Sequence, residues 1–82
     1  MKINVKLANK KSEEIGISTD FIRLDSLLKF ASAAMTGGEA KMYITDGMVR
    51  VNGEVCTMRG KKIYPGDTVR FRGRILKIVK DN

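Results

Sequence analysis

Apolar and polar residues alternate strictly over Met1–Leu7, with Ile3, Val5 and Leu7 set against Lys2, Asn4 and Lys6. A period of two predicts a half-buried strand there. Ala8–Ser12 is polar and turn-like, and Ile15 and Ile17 then predict a second short strand over Glu14–Ser18. Ser18-Thr19-Asp20 breaks that pattern, and the period lengthens. Leu24, Leu27, Leu28, Ala31 and Ala34 recur at helical spacing, which predicts a first helix over about Leu24–Met35 with Asp25 favourably placed in its first turn. Thr36-Gly37-Gly38-Glu39 has the form of a capping box, in which Thr36 accepts from the amide of Glu39 and Glu39 reaches back. A second helix should follow to about Asp46, burying Ala40, Tyr43 and Ile44 and exposing Glu39 and Lys41.

Gly47 suits the left-handed conformation that closes a helix. Beyond it Val49 and Val51 point to one side of a short strand and Arg50 to the other. Asn52-Gly53 predicts a two-residue type I′ turn, because both central residues of that turn need positive φ. The return strand carries Glu54, Val55 and Cys56. Met58–Lys62 reads as a basic loop, and Tyr64-Pro65-Gly66-Asp67 as a turn in which Pro presets φ and Gly takes the positive value. Thr68–Arg72 alternates again, Val69 and Phe71 against Arg70 and Arg72. Gly73 marks a turn or bulge. Arg74–Lys80 is a last apolar strand whose facing the pattern leaves open. Strands, two short helices and more strands, without linker, repeat or low-complexity segment, make one α+β domain over residues 1–82.

Charge narrows the function. The chain of 82 residues has a formal net charge of +7 and a pI near 9.9. From Arg50 to Lys80 nine basic residues (Arg50, Arg59, Lys61, Lys62, Arg70, Arg72, Arg74, Lys77, Lys80) stand against Glu54 and Asp67 alone. Clustering of one sign favours a polyanion, nucleic acid first and an anionic membrane surface second; a solvated face is the bland reading. A single cysteine forms no internal disulfide, and Cys56 reads as a packing residue. The first residues lack the apolar core of a signal peptide, no run reaches membrane-spanning length, and the cytoplasm is the expected compartment.

Catalysis has little to work with. The chain has no histidine, so Ser-His and Cys-His pairs are excluded, and Cys56 has no companion for a zinc site. No enzyme, metal or cofactor is implied. Phosphate binding has better material: the start of the second helix offers free amides at the positive end of its dipole, and Gly37 and Gly38 let a backbone phosphate come close. Lys41 lies one turn further on. The structural alternative is that Gly37-Gly38 simply makes a tight helix–helix turn.

Four ordered pieces of the chain resemble a known family. They are Arg23-Leu24-Asp25-x-Leu27-Leu28, Gly38-Glu39-Ala40-Lys41, Ile44-x-x-Gly47-x-Val49-x-Val51-Asn52-Gly53-x-Val55 and Pro65-Gly66-Asp67-x-Val69. Together they are similar to the S-four-type RNA-binding domain, or alpha-L motif, of a ribosomal protein, of pseudouridine synthases and of tyrosyl-tRNA synthetases. The match spans about residues 23–71, and without an appended enzyme it looks most like the stand-alone YaaA/YbcJ-type proteins of bacteria. The resemblance implies two short helices packed on a small, mostly antiparallel sheet, here with extra N-terminal strands. It implies structured RNA, ribosomal or transfer, as partner, with the ribosome a candidate assembly and a monomer the expected state. Carried over by position, RNA would meet Arg23 and Lys41 on the helical side, Arg50 and Asn52 on the hairpin, and Arg59, Lys61 and Lys62 on the adjoining loop. At Gly37-Gly38 many members carry Ser and Arg, so backbone amides and Lys41 would replace that basic contact.

Bland readings stand beside these. Asn52 and Gly53 are explained by the turn alone, Arg23 by packing of its stem, Tyr43 by the core, and Arg70, Arg72 and Arg74 by generic surface charge. Two alternatives differ in kind. One is a small SH3-like or OB-type barrel that binds nucleic acid. The other is a protein-interaction module docking on a ribosomal or replication protein through Met42, Met48 and Met58, although methionines at such spacing more often fill a core.

Overall fold

A computed structural model describes residues 12–81. The strand expected over Met1–Leu7, and the turn expected after it up to Lys11, lie outside the described residues. Ser12 opens β1 (Ser12–Ile17), followed by β2 (Ile22–Arg23), α1 (Leu24–Phe30), α2 (Gly37–Thr45), β3 (Val49–Val51), β4 (Glu54–Val55), β5 (Lys62–Ile63), β6 (Thr68–Phe71) and β7 (Arg74–Lys80). Five strands form one sheet in the order β1-β7-β6-β3-β4, and β2 and β5 form a separate two-stranded ladder. Among the described residues only β1 and β7 run parallel; the other pairs are antiparallel. This is the α+β arrangement expected from the sequence, and its two helices remove the small-barrel alternative.

One face of the sheet carries Val49, Val51, Val69, Phe71, Leu76 and Ile78. The helices bury Leu24, Leu27, Leu28, Ala40 and Ile44 in the same cluster, with Ile63 from β5. Each of the larger side chains contributes about 1.5–3 kcal/mol by leaving water, so this cluster decides which way every strand faces. It also settles β7: Leu76 and Ile78 enter the core, while Ile75 and Val79 are half-buried on the other face. β7 lies between β6 and β1 rather than at an edge, which is why its sequence is nearly continuous in apolar residues.

The first helix is shorter than expected, ending at Phe30 instead of Met35. Ser32 takes φ 60°, its amide donates to the Lys29 carbonyl (3.0 Å), and that of Ala33 donates to Leu28 (2.8 Å). This is the helix-closing pattern normally built on glycine, made here by a serine. Ala34 still reaches the core, from the turn rather than from the helix. The second helix behaves as read: Thr36 Oγ1 accepts from the Glu39 amide at 3.0 Å. The Glu39 carboxylate reaches back one residue further than a standard box, to the Met35 amide (2.9 Å), and is therefore half-buried rather than exposed. Gly47 closes the helix at φ 78°.

Candidate nucleic-acid interface

The basic loop owes its position to the unfilled amides of a helix start. The first backbone N–H groups of α1 have no partner within the helix. Leu24 donates instead to the carbonyl of Lys61 (2.9 Å) and Asp25 to that of Arg59 (3.0 Å). Just before the helix, Arg23 pairs across the β2–β5 ladder with Lys62. Arg23, Arg59, Lys61 and Lys62 are thus gathered around one helix end, all exposed. Arg23 lies against Gly60 and forks onto Asp25, with Nε and Nη2 at 3.2 and 3.1 Å from the two carboxylate oxygens. The Lys62 ammonium sits 4.9 Å from the centre of the Phe21 ring. Asp25 is the one carboxylate that makes an ion pair within this cluster among the described residues.

Gly37, Gly38 and Lys41 lie elsewhere, on α2. The tight turn between the helices is made by Ser32, and both glycines are already helical, so the turn does not explain them. A side chain at Gly37 would meet nothing within 4 Å, and one at Gly38 only the Thr36 hydroxyl at 3.8 Å. Packing within the protein therefore asks for neither. The start of α2 follows the C-terminal end of α1, about 10 Å along that helix from Arg23.

The hairpin has the geometry the sequence promised, with φ 51° at Asn52 and 89° at Gly53. Yet the Asn52 side chain is turned to the fold, with one donor and one acceptor bond. Its Oδ1 accepts from the Thr68 amide (2.9 Å), and its Nδ2 donates to Asp67 Oδ1 (3.1 Å). Asp67 Oδ2 in turn accepts from the Tyr64 amide (2.8 Å), closing the Pro65-Gly66 turn. The Asn-Gly and Pro-Gly-Asp motifs, separate in sequence, are one hydrogen-bonded corner.

Arg50 lies apart from Lys41. Val49 and Val51 face the helices, so Arg50 projects from the opposite side of the sheet, directly across from Arg70 on β6. The arginines left open by the sequence also separate. Arg74 is tied to Glu13 by two short bonds (2.7 and 2.6 Å) and donates to the Ala31 carbonyl at the end of α1 (2.9 Å). Its bond to Glu13 holds the guanidinium above its ordinary pKa, against the opposing effect of partial burial. Arg72 lies over the rings of Tyr43 and Phe71, 4.9 and 5.3 Å from their centres. Tyr43 is half-buried against Phe71, as the core reading required. The Arg70 side chain makes no hydrogen bond or ion pair among the described residues. Sequence reasoning missed the grouping of Arg50 with Arg70; the alternation around Val69 and Phe71 gave its facing, but only the strand register gives its neighbour. Met42, Met48 and Met58 are exposed rather than filling the core.

Among the described residues no three His, Cys, Asp or Glu side chains cluster as metal ligands would, and no helix is long and apolar enough to cross a membrane. Known proteins agree with the fold. A family model described as "S4 domain" matches residues 15–79. The chain is 41% identical over 59 residues to the "Probable ribosome maturation protein RlbA" of Bacillus subtilis, covering 72% of this chain and 83% of the relative. It is 38% identical over 58 residues to the "Putative RNA-binding protein YbcJ" of Escherichia coli, covering 71% and 83%. The solution structure of YbcJ from E. coli, described as revealing an alpha-L motif involved in RNA binding, superposes with a TM-score of 0.61 at 32% identity, covering 90% of this chain and 92% of that one.

Proposed function

This chain belongs to the S4 domain family, and from that premise we propose that it is a non-catalytic, cytoplasmic, monomeric RNA-binding domain that recognises structured RNA by the position of its phosphates. The observation that carries the reading is the gathering of Arg23, Arg59, Lys61 and Lys62 on backbone bonds to the start of α1. Cations held by a rigid frame meet phosphates at fixed positions, which reads RNA shape rather than sequence. Two glycines at the start of α2 leave its amides open to a further phosphate, with Lys41 beside them. Asn52 serves this surface by fixing the hairpin against the Pro-Gly-Asp turn. The relative named for RNA binding supports the ligand class, and the one named for ribosome maturation favours ribosomal over transfer RNA.

Salt tests the reading. If Lys41, Arg59, Lys61 and Lys62 each neutralise one phosphate, log K falls against log salt with a slope of roughly −3 to −4 from this surface. A slope near zero contradicts it. A second reading draws on the exposure of Met42, Met48 and Met58, at 49%, 38% and 65% of their surface. Methionines shown to solvent suit docking on a ribosomal or replication protein. Partners captured by the protein that remain after ribonuclease treatment would favour that reading; partners lost with the RNA would favour the first.

A further inference from the structure

We propose that the open face of the five-stranded sheet, centred on Arg50 and Arg70, is a second phosphate-contacting surface that takes a separate stretch of the RNA backbone. The inference rests on the RNA-binding reading and extends it to a face that the helices do not share. Arg50 and Arg70 are direct cross-strand partners on the side of the sheet away from the core. Like charges facing each other across an antiparallel pair are unfavourable, so folding alone gives no reason to place them there. Two arginines elsewhere have carboxylates, Arg23 with Asp25 and the half-buried Arg74 with Glu13. Arg50 reaches only the Gly53 carbonyl at 3.2 Å, and Arg70 has no partner among the described residues.

The surroundings suit a phosphate. Met48, Arg50, Arg70, Phe71, Arg72 and Gly73 line a shallow depression of ≈ 340 Å³ with no acidic residue in its lining. Arg72 is stiffened by its place over Tyr43 and Phe71, so little of its freedom remains to be lost on binding. Lys77 is exposed on the same face, two residues beyond Ile75, the β7 partner of Arg70. The acidic residues of this face stand at the far strand: Glu14 opposite Lys77, and Asp81 against Gly16. Forked guanidinium donors match the paired oxygens of a phosphodiester, and two of them on neighbouring strands with Lys77 beyond favour a polyanion chain over a single small anion. Because α1 and α2 cover the other face of the sheet, the strand of RNA lying here differs from the one lying on Arg59 and Lys61. The protein then bridges two segments of a folded RNA.

The test measures affinity and salt slope on a deproteinised pool of ribosomal and transfer RNA for wild type, Arg70→Gln, Arg70→Glu and the double variant Arg59→Glu/Lys61→Glu. Arg70→Gln keeps the aliphatic stem and relieves the repulsion with Arg50, so its melting temperature should equal or exceed that of wild type. The proposal expects that it nevertheless lowers the salt slope by about 1 and weakens binding several-fold. Arg70→Glu should weaken binding further, and photo-crosslinks from the 70–72 region should map to different nucleotides from those of the 59–62 loop. Wild-type affinity and slope for a folded Arg70→Gln, with the loop variant impaired, would overturn the second surface while leaving the RNA-binding reading intact. A wild-type protein with no salt-dependent binding would remove the RNA-binding reading itself.

Discussion

The corner made by Asn52, Asp67 and Thr68 and the cluster made by Arg23, Arg59, Lys61 and Lys62 are both polar and largely on the surface, and they use their side chains in opposite ways. In the corner the side-chain bonds run inward: the Asn52 amide bridges the Thr68 backbone and the Asp67 carboxylate, and Asp67 closes the Pro-Gly turn. In the cluster it is the backbone that is engaged. The carbonyls of Arg59 and Lys61 cap α1, and their ammonium and guanidinium groups are left exposed to solvent. The side chains of the turn motifs thus build the frame, while Arg59 and Lys61, proposed to meet RNA, are held in place through their main chain.

The largest effect is expected at the corner. Asn52→Ala removes two side-chain bonds and puts a Cβ residue without polar compensation at positive φ, for about 2 kcal/mol of lost stability and roughly 10 °C in melting temperature. Asn52→Gly, which restores the conformational freedom, should recover about half of that; equal losses would mean that the turn conformation contributes nothing. Next, Arg59→Glu/Lys61→Glu should leave the melting curve nearly unchanged and weaken RNA binding by about tenfold or more, with the salt slope reduced by about 2. The same reversal at Lys10 and Lys11 should cost less; equal losses would mean a diffuse basic surface.

A smaller and more pointed effect is expected at Gly38→Ala. The position is helical and the added methyl meets nothing closer than 3.8 Å, so stability should rise by about 0.5 kcal/mol. Binding should nevertheless fall several-fold, because the methyl stands where a phosphate approaches the α2 amides. A variant that is both more stable and equally tight would remove that part of the interface. The smallest effect is expected at Ser32→Gly, which relieves a left-handed serine and should stabilise by about 0.5 kcal/mol without touching affinity, measured by thermal unfolding and RNA titration together.

Features that carry their own local chemistry were legible in the sequence. The Asn-Gly turn, the Gly47 helix stop, the Thr36–Glu39 cap and the Pro65-Gly66 turn each need a particular residue at a particular φ or donor, and each occurs where it was read. The end of α1 was not legible, because the residue that takes the left-handed conformation is Ser32 and not glycine. The β2–β5 ladder was missed for a different reason. Its strands are too short to show alternation, and they are held beside α1 by the needs of the helix start rather than by apolar pairing.

The site was legible in part. Charge and motif located the basic loop, and the loop proves to be continuous with Arg23. They could not separate Arg50 from Lys41, since facing follows from the core while neighbours follow from strand register, which links residues far apart in the chain. Nor could they distinguish Arg70 from Arg74, two strand residues of the same type. Only the placement of Glu13 and of the end of α1 shows that Arg74 is committed to the fold.

The most direct test of the division between frame and contact is RNA affinity per folded molecule, measured side by side for Asn52→Ala and Arg59→Glu/Lys61→Glu, each well below its melting temperature. The account expects the folded fraction of Asn52→Ala to bind close to wild-type tightness, while the fully folded loop variant binds about tenfold more weakly or worse. Loss of affinity by folded Asn52→Ala, together with full affinity in the loop variant, would contradict it.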